Sequence, residues 1–172
     1  MATIGRTTTG AASVSNAENR LIGRLGTFAA GDEITSVSVY TENTVAAKRI
    51  NAALYDASNG SRLALGTEQT QALDTTEWRT IPISYTVSSV TDIFIVVQAE
   101  GGSGVCDCQW DTDSGVTSYY DSAASYGYPP PATWSGAGWG TDLDRDISLY
   151  ATYTPAGGGA SAPKRSLLLG IG

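Results

Sequence analysis

The chain has 172 residues, 10 basic and 17 acidic side chains for a formal charge of −7, and no histidine; phosphate backbones and anionic membranes are repelled, and imidazole-based triads and proton shuttles are excluded. Charged residues reach only 16% against the usual ~25%, so hydroxyls and amides dominate the surface. A domain of this size buries roughly 70% of its unfolded surface without a disulfide scaffold, and no run approaches the ~18 apolar residues of a membrane span, so neither nucleic acid nor membrane insertion is expected.

Period-2 alternation recurs along the chain, and no 3.6-residue apolar stripe persists. It predicts strands over 2–8, 21–28, 34–40, 48–55, 68–73, 78–83, 92–100, 105–110, 116–120 and 147–153. The opening residues up to Ser15 have no apolar run of leader type and are not expected to act as a signal peptide. In 48–55, Ile50, Ala52 and Leu54 alternate with Arg49, Asn51, Ala53 and Tyr55. Turn signals separate the strands at Gly31-Asp32, 56–60, Asp74-Thr75-Thr76 and 101–104, and Asn59-Gly60 suits a tight hairpin because both residues accept positive φ cheaply. In 92–100, Phe94 and Val96 interleave with Ile93, Ile95 and Val97, the pattern of a strand near the centre of a sheet. About ten short strands without helices predict an all-β, two-sheet antiparallel β-sandwich. The jelly-roll type is expected over the immunoglobulin type, whose Cys-Trp-Cys spacing is missing.

After residue 100 the composition changes. Glu100, Asp107, Asp111, Asp113, Asp121, Asp142, Asp144 and Asp146 face one basic residue, Arg145, up to position 146, among many aromatic rings. Residues 126–140 hold Pro129-Pro130-Pro131 and several glycines, so a long ordered loop is expected. Its rings support two readings. Tyr126, Tyr128, Trp134 and Trp139 could lie against a pyranose face or a protein partner, with Trp134 and Trp139 the least buried of them. Alternatively, the rings pin the loop onto the sandwich.

Asp142, Asp144 and Asp146 alternate, so an extended chain puts them on one side, where they could share a structural calcium with backbone carbonyls; a solvated acidic edge that blocks strand pairing is the other reading. Ile147 and Tyr153 stand where an EF-hand loop needs Gly and Glu, which excludes that motif. Cys106 and Cys108 share a strand face with Cβ atoms about 7 Å apart, too far for a disulfide. They read as two buried thiols, or as half of a zinc site completed by carboxylates or a second subunit. There is no Gly-x-Ser-x-Gly elbow and no phosphate-binding Gly loop. Only a chance carboxylate pair such as Asp111 and Asp142 would remain for glycosidase chemistry, so no enzymatic activity and no cofactor beyond that calcium are expected.

The sandwich is expected to occupy 1–154, and 155–172 to form a Gly/Pro linker with an apolar docking segment: Lys164 and Arg165 precede Leu167, Leu168, Leu169 and Ile171. The pattern of Phe28, Gly31, Ile34 to Tyr40, Leu54-Tyr55-Asp56, Gly60, Leu63, Trp78, Ile81, Ile83, Ile93 to Val97 and 147–153 resembles the jelly-roll module of bacteriophage structural (decoration or fibre) proteins and of some bacterial surface proteins. The resemblance implies a place on the virion surface, with a capsid, tail or fibre protein and further copies of the chain as partners. The alternative expectation is a secreted or cell-surface carbohydrate-binding module that meets a cell-surface glycan.

Overall fold

The computed structural model describes residues 1–14, 20–44, 47–89, 91–101, 106–121, 127–134 and 139–157; at 13–14, 114–116, 120–121 and 139–144 it describes the backbone alone. Among the described residues lie twelve strands: β1 (Ala2–Gly5), β2 (Ala12–Val14), β3 (Ile22–Phe28), β4 (Glu33–Asn43), β5 (Lys48–Asp56), β6 (Arg62–Leu65), β7 (Gln69–Gln71), β8 (Thr75–Thr86), β9 (Thr91–Ala99), β10 (Cys106–Asp121), β11 (Trp139–Ile147) and β12 (Leu149–Thr154).

All pairings are antiparallel and form two sheets joined at a corner. The first runs β1-β12-β4-β8. The second runs β11-β10-β3-β9-β5, and the far edge of β5 is shared by β6 and β7. Two strand pairs make the corner. β10 begins beside β4, at Cys106 opposite Asn43, and ends beside β11 and β3. β11 and β12 form one extended run broken at Ser148: Ile147 pairs with Trp110 in the second sheet, and Leu149 with Val39 in the first. At the break the Ser148 amide donates to the Gln109 carbonyl at 2.9 Å, and its own carbonyl accepts from the Tyr40 amide at 2.9 Å. Strands that change layer at such a bend are how orthogonally packed sheets turn corners.

Alternation fills the space between the sheets. Val37, Val39, Ile81, Leu149 and Ala151 enter it from the first sheet; Ile22, Ile50, Ala52, Leu54, Ile93, Ile95 and Val97 enter from the second. β9 lies between β3 and β5, the central position that its two apolar faces predict. Cys106 and Cys108 are buried in the same core, with no disulfide between them. The end of the sandwich near β7 is closed by a buried polar seam. Gln71 donates to the carbonyls of Thr41 and Thr75 at 3.0 Å each and accepts from the Thr41 hydroxyl at 2.5 Å, while Asn43 donates to the Ala72 carbonyl at 3.0 Å.

The hairpin between β5 and β6 forms where Asn59-Gly60 predicts it. Gly60 has φ +72°, and the Asp56 carboxylate accepts from the Ser58 amide at 2.7 Å and its hydroxyl at 2.6 Å. Those bonds hold Asp56 below the ordinary carboxylate range.

Three differences from the sequence reading have physical causes. β6 is the return arm of this hairpin, too short to show alternation. The strands expected at 105–110 and 116–120 are one 16-residue strand, whose register with β11 slips between Thr112 and Thr117, as a bulge does. The acidic run after the loop is itself a strand, β11, paired with β10 from Trp139 opposite Asp121 to Ile147 opposite Trp110.

Candidate functional site

The loop expected to present aromatic contacts is described over 127–134, and from Pro130 to Trp134 it is bound down. The Tyr55 hydroxyl donates to the Pro131 carbonyl at 2.8 Å, the Arg62 amide to the Ala132 carbonyl at 2.9 Å, and the Trp134 amide to the Gly60 carbonyl at 2.8 Å. The Arg62 guanidinium also reaches the Pro130 carbonyl. A Cβ on Gly60 would stand 2.0 Å from the Trp134 carbonyl oxygen, so only glycine lets the loop approach this closely.

Trp134, expected among the least buried rings, is only 1% exposed. Its indole stands edge-on to Tyr55 at 5.3 Å and to Phe94 at 5.6 Å and packs with Leu21, Ala53 and Val96. The reason lies in β5 and β9. Both carry apolar residues on the face turned away from the main core, and the indole covers that face. The pinning reading therefore holds for Trp134, and its place as a ligand or partner contact is withdrawn.

Tyr128 is partly exposed and lies at 5.1 Å from the guanidinium carbon of Arg49. Arg49 is bonded to Glu100 through Nε at 2.6 Å and lies 3.5 Å from Glu68. The bond to Arg49 holds the Glu100 carboxyl below its ordinary range, while burial, then the neighbouring Glu68, pushes the Tyr128 phenol up. Trp139 opens β11, and its side chain lies outside the described residues; Tyr126 lies outside them altogether, as do Lys164, Arg165, Leu167, Leu168, Leu169 and Ile171.

Asp146, one of the three expected calcium ligands, accepts instead from Arg24 at 2.8 Å and faces Arg6 at 3.5 Å. Arg6 also pairs with Asp111 at 2.5 Å, and Asp111 accepts from the Ala11 amide at 3.0 Å. This network straps residues 6–11 over the corner and neutralises Asp146 with guanidinium. For Asp142 and Asp144 the structure gives only their places on β11. Among the described residues no three His, Cys, Asp or Glu side chains gather as a metal site. Asp111 pairs with Asp146 and Asp142 with Ser118, which sets the backbone positions of Asp111 and Asp142 about 13 Å apart along the strand. Burial, then the nearby Cys106 and Asp107, raises the Cys108 thiol, which keeps it protonated and unreactive at neutral pH.

An aromatic cluster of a different kind stands on the outer face of the first sheet. Tyr40 on β4 is directly opposite Trp78 on β8, and Tyr150 lies on the other flank of β4, opposite Ser38. Ring centroids are 5.4 Å apart for Tyr40 and Trp78 and 5.2 Å for Trp78 and Tyr150. β8 and β12 have β4 between them, so their backbones are about 9.5 Å apart, and the short Trp78–Tyr150 separation requires the indole to lean across β4. Ser38 beneath it is only 1% exposed although it points outward, and it shares a 2.9 Å hydrogen bond with Thr80. All three rings remain partly exposed. The sequence reading missed this group; the available signal was that each ring falls on the polar phase of its strand.

No protein-family model matches the chain, and none of the curated proteins matches it.

Proposed function

We propose that the chain is a jelly-roll-type, non-enzymatic structural module carried on the outside of a virus particle, decorating its capsid or forming part of a fibre. The observation that supports this reading is the use made of the ionic groups. Arg6 and Arg24 tie the N-terminal segment and β3 to the β10–β11 corner, Arg49 joins β5 to Glu100, and Arg62 holds the proline loop. Arg145 of β11 lies 4.4 Å from the ring centre of Trp110 on β10. Groups that would bind or transform a substrate in an enzyme here cross-link strands and loops, which suits a rigid shell that meets other proteins.

In this reading the sandwich is the displayed body, and the segment with Lys164, Arg165 and the leucines attaches it to a capsid, tail or fibre protein or to another copy. The test is mass spectrometry of density-purified particles, with the full chain and a chain ending at Gly157 compared. The proposal expects the full chain in the particle fraction and the shortened one in the supernatant. Absence of the full chain from particles would refute it.

A further inference from the structure

We infer that the outer face of the first sheet, centred on Trp78, is a binding surface for a neutral polysaccharide. Three observations carry the argument, and none depends on where the protein resides. The first is the row itself. Tyr40, Trp78 and Tyr150 stand at 5.2–5.4 Å spacings across three adjacent strands, and the indole leans over a buried serine with its ring partly open to solvent. The ring planes are tilted 54° and 58° to one another, so the three make a stepped aromatic surface whose open parts suit the apolar faces of sugar rings, while hydroxyl groups around them take the sugar hydroxyls.

The second is the chemistry of the surround. The positions that share this face along β4, β8 and β12 include Ser36, Thr80 and Thr152. The charged members on β4, Glu33 and Glu42, are both acidic, and Glu42 accepts a hydrogen bond from Gln109 at 3.2 Å. A face with no cation among its described residues does not attract an anionic polymer. The rings stand among Ser and Thr hydroxyls, a mix that suits the apolar and hydroxyl-bearing surfaces of a sugar.

The third is the open flank. Gly5, opposite Tyr150 on β1, has φ +120°, and a Cβ there would lie 2.3 Å from the Leu149 carbonyl oxygen. Gly5 therefore puts no side chain beside Tyr150, which leaves room at that position for a chain lying along the row.

The experiment is native electrophoresis of the full chain in gels containing hydroxyethylcellulose, galactomannan or amylopectin, with alginate as the acidic control. At least one neutral polymer is expected to retard the protein, and alginate is not. Trp78→Ala should weaken retardation about tenfold, the loss of one stacked aromatic contact. Because Trp78→Ala also uncovers Ser38, Thr76→Arg provides a second variant: two residues from Trp78 on the same face of β8, it places a bulky cation beside the row from an exposed position and should weaken retardation equally while the melting temperature holds. Retardation by none of the neutral polymers, or retardation that survives both substitutions, would overturn the inference. So would a dimer in sedimentation that Thr76→Arg dissociates while no polymer binds, since the face would then be an interface between copies.

Discussion

Replacing Trp134 by alanine tests what the proline loop is for. The indole is 1% exposed, and an indole of this size removes about 200 Å² from water, or ~5 kcal/mol at ~25 cal/mol per Å². That figure is an upper bound because the unfolded chain already hides part of the area. The site also differs from a deep core. The cover lies on the outer face of the second sheet, so water can enter the space instead of leaving an empty cavity. A loss of about 3 kcal/mol, the low end for Trp→Ala, is expected. For a domain of this length each kcal/mol lowers the melting temperature by roughly 2–4 °C, so thermal denaturation at neutral pH should shift down by about 10 °C. Trp134→Phe should recover part of it, because a ring still faces Tyr55 and Phe94. A shift under about 2 °C would refute the pinning argument. A contact residue for sugar or protein would behave in the opposite way, losing a ligand while the melt stayed in place.

Asp146→Asn leaves Arg24 and Arg6 facing a neutral amide in a partly buried site and should cost about 3 kcal/mol in denaturant unfolding; millimolar chelator should leave the wild-type curve unchanged, and a chelator-induced drop reversed by calcium would restore the calcium reading. Asp56 and Glu100 both titrate below the ordinary carboxylate range in the folded protein, so their stabilisation is complete above that range and is lost as pH falls through it and below; Arg49→Gln should shrink the acid-side fall in melting temperature between neutral pH and pH ~3. Cys106 and Cys108 should react with a thiol reagent only after denaturation, and fast labelling of the native protein would show that the core around them opens. Removal of 158–172 keeps the 2.8 Å bond from the Ala156 amide to Asp32, so the melting temperature should move by no more than about 2 °C while self-association or particle attachment is lost; a drop near 10 °C would make the tail part of its own sandwich.

Strand existence was legible where one face of a strand meets the core and the other meets water. That condition holds for β3, β4 and β12, and the two-sided apolar pattern of β9 placed it centrally. It fails where a strand changes its surroundings along its length. β10 begins against β4 in one sheet and ends against β3 in the other, so no single alternation describes it, and its bulge looked like a break. Asp146 on β11 is acidic for a related reason. Asp146 points toward two arginines contributed by β3 and the N-terminal segment, and nothing local to 142–146 announces cations brought from residues 6 and 24.

The aromatic residues show the same limit from the other side. Between 126 and 140 the rings are dense in sequence, which draws attention to that loop, yet the density of Pro and Gly there signals a segment that must be held down, and Trp134 does the holding. Tyr40, Trp78 and Tyr150 are far apart in sequence and each looked incidental. Period-2 phase already put Tyr150 on the polar side of its strand, with Ser148 and Thr152. What it could not supply was the pairing of β4 with both β8 and β12, which sets Trp78 beside Tyr40 and lets it reach Tyr150. Register between distant strands is chosen by the sum of core contacts on the opposite face, here Val37, Val39, Ile81 and Leu149, because a one-residue slip would turn all of them to water. The apolar side of the first sheet thus fixes the arrangement of its exposed side, and substitutions among those four core residues should disturb the aromatic row without touching it.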